Sequence, residues 1–73
     1  MKARVKIDGM LCGMCEAHMN DAIRRVFPEA KKVKSSHKKG ETTFVTDSAV
    51  SEDVIKNVVE ETGYSFVSVS FED

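Results

Sequence analysis

The order of hydrophobic patterns along the chain restricts its fold more than any other feature of the sequence. Apolar and polar residues alternate over residues 2–8 and again over residues 64–71, which is the pattern of strands with one buried face. Over residues 15–27 and after Ser51, apolar residues recur three and four positions apart, as in amphipathic helices. We therefore expect two strands and two helices from these four segments, with Ser51 capping the second helix through its side chain.

The segment between the two helices predicts a hairpin. Residues 31–37 form a weakly patterned strand, a turn follows at residues 37–40, and residues 41–46 are rich in Thr, Phe and Val. The complete order is β-α-β-β-α-β, which predicts an α+β, ferredoxin-like fold with a four-stranded antiparallel sheet and two helices on one face. The expected core includes seven apolar residues: Val5, Ile7, Ile23, Val26, Phe44, Val58 and Val67.

Two further helix features follow from the sequence. Pro28 is expected to end the first helix, and Gly63 is expected to adopt the left-handed conformation that commonly ends a helix. In the second helix, the predicted buried stripe consists of Val54, Ile55, Val58 and Val59.

Length and charge limit the classes of function. The 73 residues are enough for one small domain, which we assign to residues 1–73. Eleven basic residues against twelve acidic ones give a net charge of −1, so the totals do not favour a nucleic-acid or anionic-membrane partner. The apolar runs are too short to insert into a membrane, and the first residues lack the apolar segment of a signal peptide. We therefore expect a cytoplasmic protein whose thiols stay reduced.

Both cysteines lie in one short segment between the first strand and the first helix, with the sequence GMLCGMC at residues 9–15. Two thiols three positions apart at a helix start can turn towards one ion, and the positive end of the helix favours their thiolate forms. Thiolates select Cu(I), Zn(II) and other soft metals over Mg(II) or Ca(II). The same spacing also suits a thioredoxin-like dithiol redox protein. A structural zinc site is a weaker alternative because it needs four protein ligands.

Six residues carry a resemblance to a known family: Gly9, Met10, Cys12, Cys15, Gly63 and Tyr64. The first four match the motif G-M-x-C-x-x-C, and the last two match a Gly-Tyr pair after the second helix. With the predicted order of elements, the chain resembles a heavy-metal-associated domain of the copper-chaperone type. Such domains occur as free metallochaperones and as N-terminal modules of soft-metal P-type ATPases.

The resemblance implies roles for individual residues. Cys12 and Cys15 would bind Cu(I) and leave it open to a third thiolate from a partner, which would be the metal-binding domain of a P-type ATPase or a copper-sensing repressor. Met10 would pack beneath the loop, and Tyr64 would lie beside the metal, as in free chaperones of the bacterial type. Met1 directly before the first strand also favours a free-standing protein. No catalytic residue is implied, so we expect a carrier and not an enzyme.

Alternatives remain open within this resemblance. One alternative is that the chain is a zinc- or mercury-binding module of a larger transporter. A separate alternative concerns the oligomeric state, because two copies that share one ion would form a metal-bridged homodimer. His18, three positions after Cys15, is expected to be an exposed residue that is not needed for Cu(I) but would help to complete a Zn(II) site. His37, in the predicted hairpin turn, is expected to be solvated and remote from the cysteines.

Overall fold

The computed structural model describes residues 1–47 and 50–72, and within them the elements follow the predicted order. The strands are β1 (Lys2–Asp8), β2 (Lys31–Ser36), β3 (Glu41–Val45) and β4 (Ser65–Glu72), and the helices are α1 (Gly13–Val26) and α2 (Glu52–Glu61). The ferredoxin-like prediction is confirmed. Helix α1 begins two residues earlier than expected, so that Cys15 lies inside its first turn.

The four strands form one antiparallel sheet in the order β2-β3-β1-β4. Strand β1 is central, and its inner face presents Ala3, Val5 and Ile7, which are all buried beneath the two helices. The loops β1–α1, β2–β3 and α2–β4 lie at the same end of the sheet. Neighbouring strands run in opposite directions, so β1 and β2 end where β3 and β4 begin. This end carries both cysteines.

The core lies between the sheet and the helices. Its largest fully buried side chains are Phe44, Met19, Ile23, Ile55, Val5 and Val59. Of the seven expected core residues, Val5, Ile7, Ile23, Phe44 and Val58 are confirmed. The prediction that Val26 is a core residue is wrong, because Val26 lies at the last position of α1 and is 41% exposed. Phe27, the next residue, is buried instead and stacks on Phe44 at 5.6 Å between ring centroids.

Val67 is also wrongly predicted, and a β-bulge explains why. Lys6 pairs with Ser68, but the next residue, Ile7, pairs with Phe66, so Val67 is an extra residue in β4 without a partner in β1. The bulge reverses the alternation of side chains at this point. Phe66 therefore packs against the core, whereas Val67 is 61% exposed.

The helix ends agree only in part with the predictions. Gly63 has a φ of +94°, as expected for a residue that follows a helix. Ser51 occupies the position before α2, but its hydroxyl makes no capping hydrogen bond, so that part of the prediction is wrong. Val54, expected in the buried stripe of α2, is 39% exposed, while Ile55, Val58 and Val59 are buried.

The outer face of the sheet is polar and carries paired charges. Glu41 on β3 lies between two basic residues of β1, with its Oε1 atom 3.1 Å from Arg4 Nη1 and its Oε2 atom 3.2 Å from Lys6 Nζ. Burial raises the pKa of Glu41, but the hydrogen bonds from Lys6 and Arg4 outweigh it and hold the pKa below its usual value. Across residues 1–47 and 50–72, neither helix is long and apolar enough to cross a membrane.

Candidate metal centre

The loop between β1 and α1 is attached to the core by one methionine. Met10 is only 3% exposed and belongs to the core cluster, whereas the next residue, Leu11, is 80% exposed. Gly9 has a φ of +95°, and a Cβ atom at this position would lie 3.8 Å from Cδ1 of Tyr64. The loop therefore turns sharply beside Tyr64, buries Met10 and directs the following residues towards the surface.

The two cysteines lie at the start of α1. Cys12 is the N-cap residue, with an extended backbone, and is exposed; Cys15, in the first turn, is half-buried. Their Sγ atoms are 3.1 Å apart and share a hydrogen bond. The Cys12 carbonyl accepts the Glu16 N–H at 3.2 Å, which is the first hydrogen bond of the helix. Helix geometry thus brings both sulfurs to one point at the surface.

Tyr64 adjusts the charge state of this pair. Hydrogen bonding from its hydroxyl stabilises the Cys15 thiolate, which is the main reason that the pKa of Cys15 falls from 9.0 to about 7. The contact with Cys12 and a backbone hydrogen bond at Leu11 lower it further. The same bond raises the pKa of Tyr64 to about 12, because the neutral phenol is the donor. Near neutral pH, a large share of Cys15 is therefore the thiolate, the form that binds metals.

His18 lies close to this site but is not part of a ligand cluster. It is exposed on α1 and lines an open groove of about 310 Å³ together with Cys15, Tyr64, Met14 and Asp21. Among the residues that the structure describes, no group of three or more His, Cys, Asp or Glu side chains is placed to hold one ion. The role of His18 as a third ligand to zinc therefore stays a prediction.

His37 is not remote from the cysteine end of the domain, contrary to the sequence-based expectation. Its Nδ1 atom is 2.6 Å from Oε2 of Glu16, and its backbone N–H donates to the same oxygen at 2.8 Å. These two hydrogen bonds, the backbone one first, hold the pKa of Glu16 below its usual value. The predicted topology places the β2–β3 turn and the start of α1 at the same end of the sheet, but it does not identify the Glu16–His37 contact itself.

Several solved structures share the fold of this chain. A structure described as the CopZ metallochaperone superposes with a TM-score of 0.79 at 22% identity, covering 92% of this chain and all of that one. A copper-binding domain from HMA7, a P-type ATPase, gives a TM-score of 0.76 at 23% identity, covering 96% of this chain and 97% of the domain.

A third structure, oxidized MerP from Ralstonia metallidurans CH34, gives a TM-score of 0.76 at 21% identity and covers 97% of each chain. No protein-family model matches this sequence. No curated protein matches it either. The chain thus has the ferredoxin-like fold that these three structures share.

Proposed function

We propose that this chain is a heavy-metal-associated domain and acts as a carrier of Cu(I), which it holds between Cys12 and Cys15. The observation that carries the proposal is the pair of sulfurs 3.1 Å apart at the exposed start of α1. The lowered pKa of Cys15, about 7, supports it because metal binding requires the thiolate. Similarity of fold to the structures named above adds to this support.

Two thiolates suit Cu(I) better than Zn(II). Structural zinc takes four ligands in a tetrahedral arrangement, whereas soft thiolate sulfurs select Cu(I). Zn(II) and mercury are the alternative metals. The affinity of the chain for each would be measured by competition with a chelator of that metal and compared with its affinity for Cu(I). Under this proposal the chain binds and releases an ion and performs no chemistry on a substrate.

The exposure of the site supports transfer to a partner. Cys12 is exposed, and Leu11 and Met14, on either side of it, are 80% and 84% exposed. An incoming thiolate has an open approach to an ion held here. We propose that the partner is the metal-binding domain of a P-type ATPase or a copper-sensing repressor in the cytoplasm, and that the ion passes by exchange of thiolate ligands.

The test is the kinetics of copper transfer. The Cu(I)-loaded chain is mixed with increasing concentrations of a separate Cys-x-x-Cys domain, and the copper content of each protein is followed after rapid separation. Ligand exchange predicts a transfer rate that rises with the concentration of the acceptor. A rate that equals spontaneous dissociation at every acceptor concentration would contradict the proposal.

A dithiol redox protein is the second candidate, favoured by the short distance between the sulfurs. In that case the two thiols would reduce a disulfide of another protein and become a Cys12–Cys15 disulfide, while the substrate sulfurs take up the two electrons and two protons. The assay is the reduction of insulin by dithiothreitol with and without the chain. The carrier proposal predicts no acceleration, and catalytic acceleration would favour the redox protein.

A further inference from the structure

We propose that the β2–β3 hairpin is a brace for the cysteine loop, and that Glu16 and His37 are its positioning residues. The brace consists of the hairpin turn at residues 37–40 and its hydrogen bonds to β1 and α1. This inference rests on the proposed function, because the role that we assign to the brace is to raise the affinity of the two cysteines for a metal ion.

The first contact of the brace joins the hairpin to α1. Oε2 of Glu16 accepts two hydrogen bonds from the same residue, one from the His37 backbone N–H at 2.8 Å and one from the ring Nδ1–H at 2.6 Å. The carboxylate only accepts, so Nδ1 carries the proton. Two donors on one oxygen fix both the position of the turn and the direction of the Glu16 side chain.

The second contact joins the hairpin to β1. The Gly40 carbonyl accepts the Ile7 N–H at 2.8 Å, two residues before the loop begins at Gly9. Gly40 has a φ of +64°, and a Cβ atom there would lie 3.0 Å from the Ile7 carbonyl oxygen. This close approach therefore depends on glycine.

The two contacts hold opposite ends of the cysteine loop. On the strand side the anchor is Ile7; on the helix side it is Glu16, whose own N–H donates to the Cys12 carbonyl at 3.2 Å. The segments on both sides of the Cys12 loop, the end of β1 and the start of α1, are therefore hydrogen-bonded to the same hairpin turn. Groups that hydrogen-bond directly to metal ligands commonly change metal affinity by about 10–100-fold when they are removed. Because the Glu16 side chain acts on Cys12 only through the backbone, we expect the lower end of this range.

Charge alone predicts little change or slightly tighter binding. Removing the Glu16 carboxylate takes a negative charge away from two thiolates, which favours the thiolate forms, and also away from the Cu(I) cation, which offsets that gain. The brace predicts weaker binding after the same change. A purely structural contact would lower the melting temperature and leave the metal affinity of the folded protein unchanged.

The experiment measures Cu(I) affinity by competition with a chelator, together with thermal unfolding of each metal-free variant. The variants are Glu16→Ala, Glu16→Gln and His37→Ala. Asp21→Ala is the control on α1, because it removes an exposed carboxylate of the same helix. Lys34→Ala is the control on the hairpin, because it removes an exposed lysine of β2 that lies outside the turn. His37→Ala leaves the charge of Glu16 in place. A loss of affinity in this variant therefore results from the missing contact and not from a change in the charge of Glu16 or in its interaction with the helix dipole.

We expect Glu16→Ala to weaken Cu(I) binding by about tenfold, with Glu16→Gln and His37→Ala causing smaller losses and both controls causing none. The double variant with Ala at both positions should lose no more than Glu16→Ala alone, because the ring bond is already absent. Affinities of the three variants equal to those of the controls, or tighter binding by Glu16→Ala, would overturn the brace.

A metal-free measurement keeps the two proposals distinguishable. If the wild-type chain does not retain Cu(I), the proposed function fails, but the brace still predicts faster hydrogen exchange of the residue-16 amide, which donates to the Cys12 carbonyl, in Glu16→Ala than in Asp21→Ala after correction for intrinsic exchange rates. Equal exchange in these two variants would contradict the brace whatever the chain binds.

Discussion

Replacing Met10 by Ala tests whether this methionine packs in the core or binds metal. Met10 and Met14 lie two residues before and two residues after Cys12, but they are 3% and 84% exposed, respectively. Truncating a buried methionine to alanine costs about 2–5 kcal/mol, and the lower part of this range, about 2–3 kcal/mol, is expected for a side chain in a loop. A 73-residue domain has a total stability of only about 4–11 kcal/mol. The substitution therefore removes a large fraction of it.

The measurement is thermal and urea unfolding of the reduced, metal-free protein, followed by circular dichroism. Met10→Ala should lower the melting temperature by about 10–20 °C. Met14→Ala is the matched control and should change stability by no more than about 0.5 kcal/mol. Equal stability of the two variants would refute the packing role, as would a loss of Cu(I) by Met10→Ala at unchanged stability.

The remaining predictions concern Cys15, its neighbours and the core. Tyr64→Phe should raise the pKa of Cys15 above about 7 and alter copper release with little change in stability; an unchanged pH profile of thiol alkylation would contradict this. Because the pKa of Cys15 falls from 9.0 to about 7 on folding, the folded chain binds fewer protons between these values. The free energy of unfolding of the metal-free protein should therefore rise from pH 7 to pH 9, and this gain is lost as the pH falls through 7. Urea unfolding measures it, and the Cys15→Ser variant should not show it. His18→Ala should leave Cu(I) affinity unchanged and, if anything, lower Zn(II) affinity; a large fall for Cu(I) at fixed pH would indicate a three-coordinate copper site. Val59→Ala should cost about 2 kcal/mol and Val67→Ala less than about 0.5 kcal/mol, and equal losses in urea unfolding would contradict the assigned bulge.

The order of elements was predictable because most of them have a clear period, although β2 is only weakly patterned. The alternation over β1 matches a strand with Ala3, Val5 and Ile7 buried, and the spacing in α1 places Met19 and Ile23 in the core. These patterns are local, so they can be read without knowing what the element packs against. The position of the cysteine pair at the start of α1 followed from the same reasoning.

Two of the features that were missed depend on contacts between distant segments. The exposure of Val67 results from a bulge against β1, which alternation within β4 does not reveal. The Glu16–His37 contact joins residues 21 positions apart, and neither residue stands out in its own segment. Ser51 has a residue type suited to capping, but the local geometry gives its hydroxyl no capping bond.

The central claim is that Cys12 and Cys15 together hold Cu(I). Its most direct test is copper retention against a competing Cu(I) chelator, measured for the wild-type chain, Cys12→Ser, Cys15→Ser and, as a control between the two cysteines, Met14→Ala. We expect the wild type and Met14→Ala to retain one ion per chain, and each serine variant to lose it while its circular dichroism spectrum stays that of the folded domain. Strong copper retention by Cys12→Ser or by Cys15→Ser would contradict the two-thiolate site.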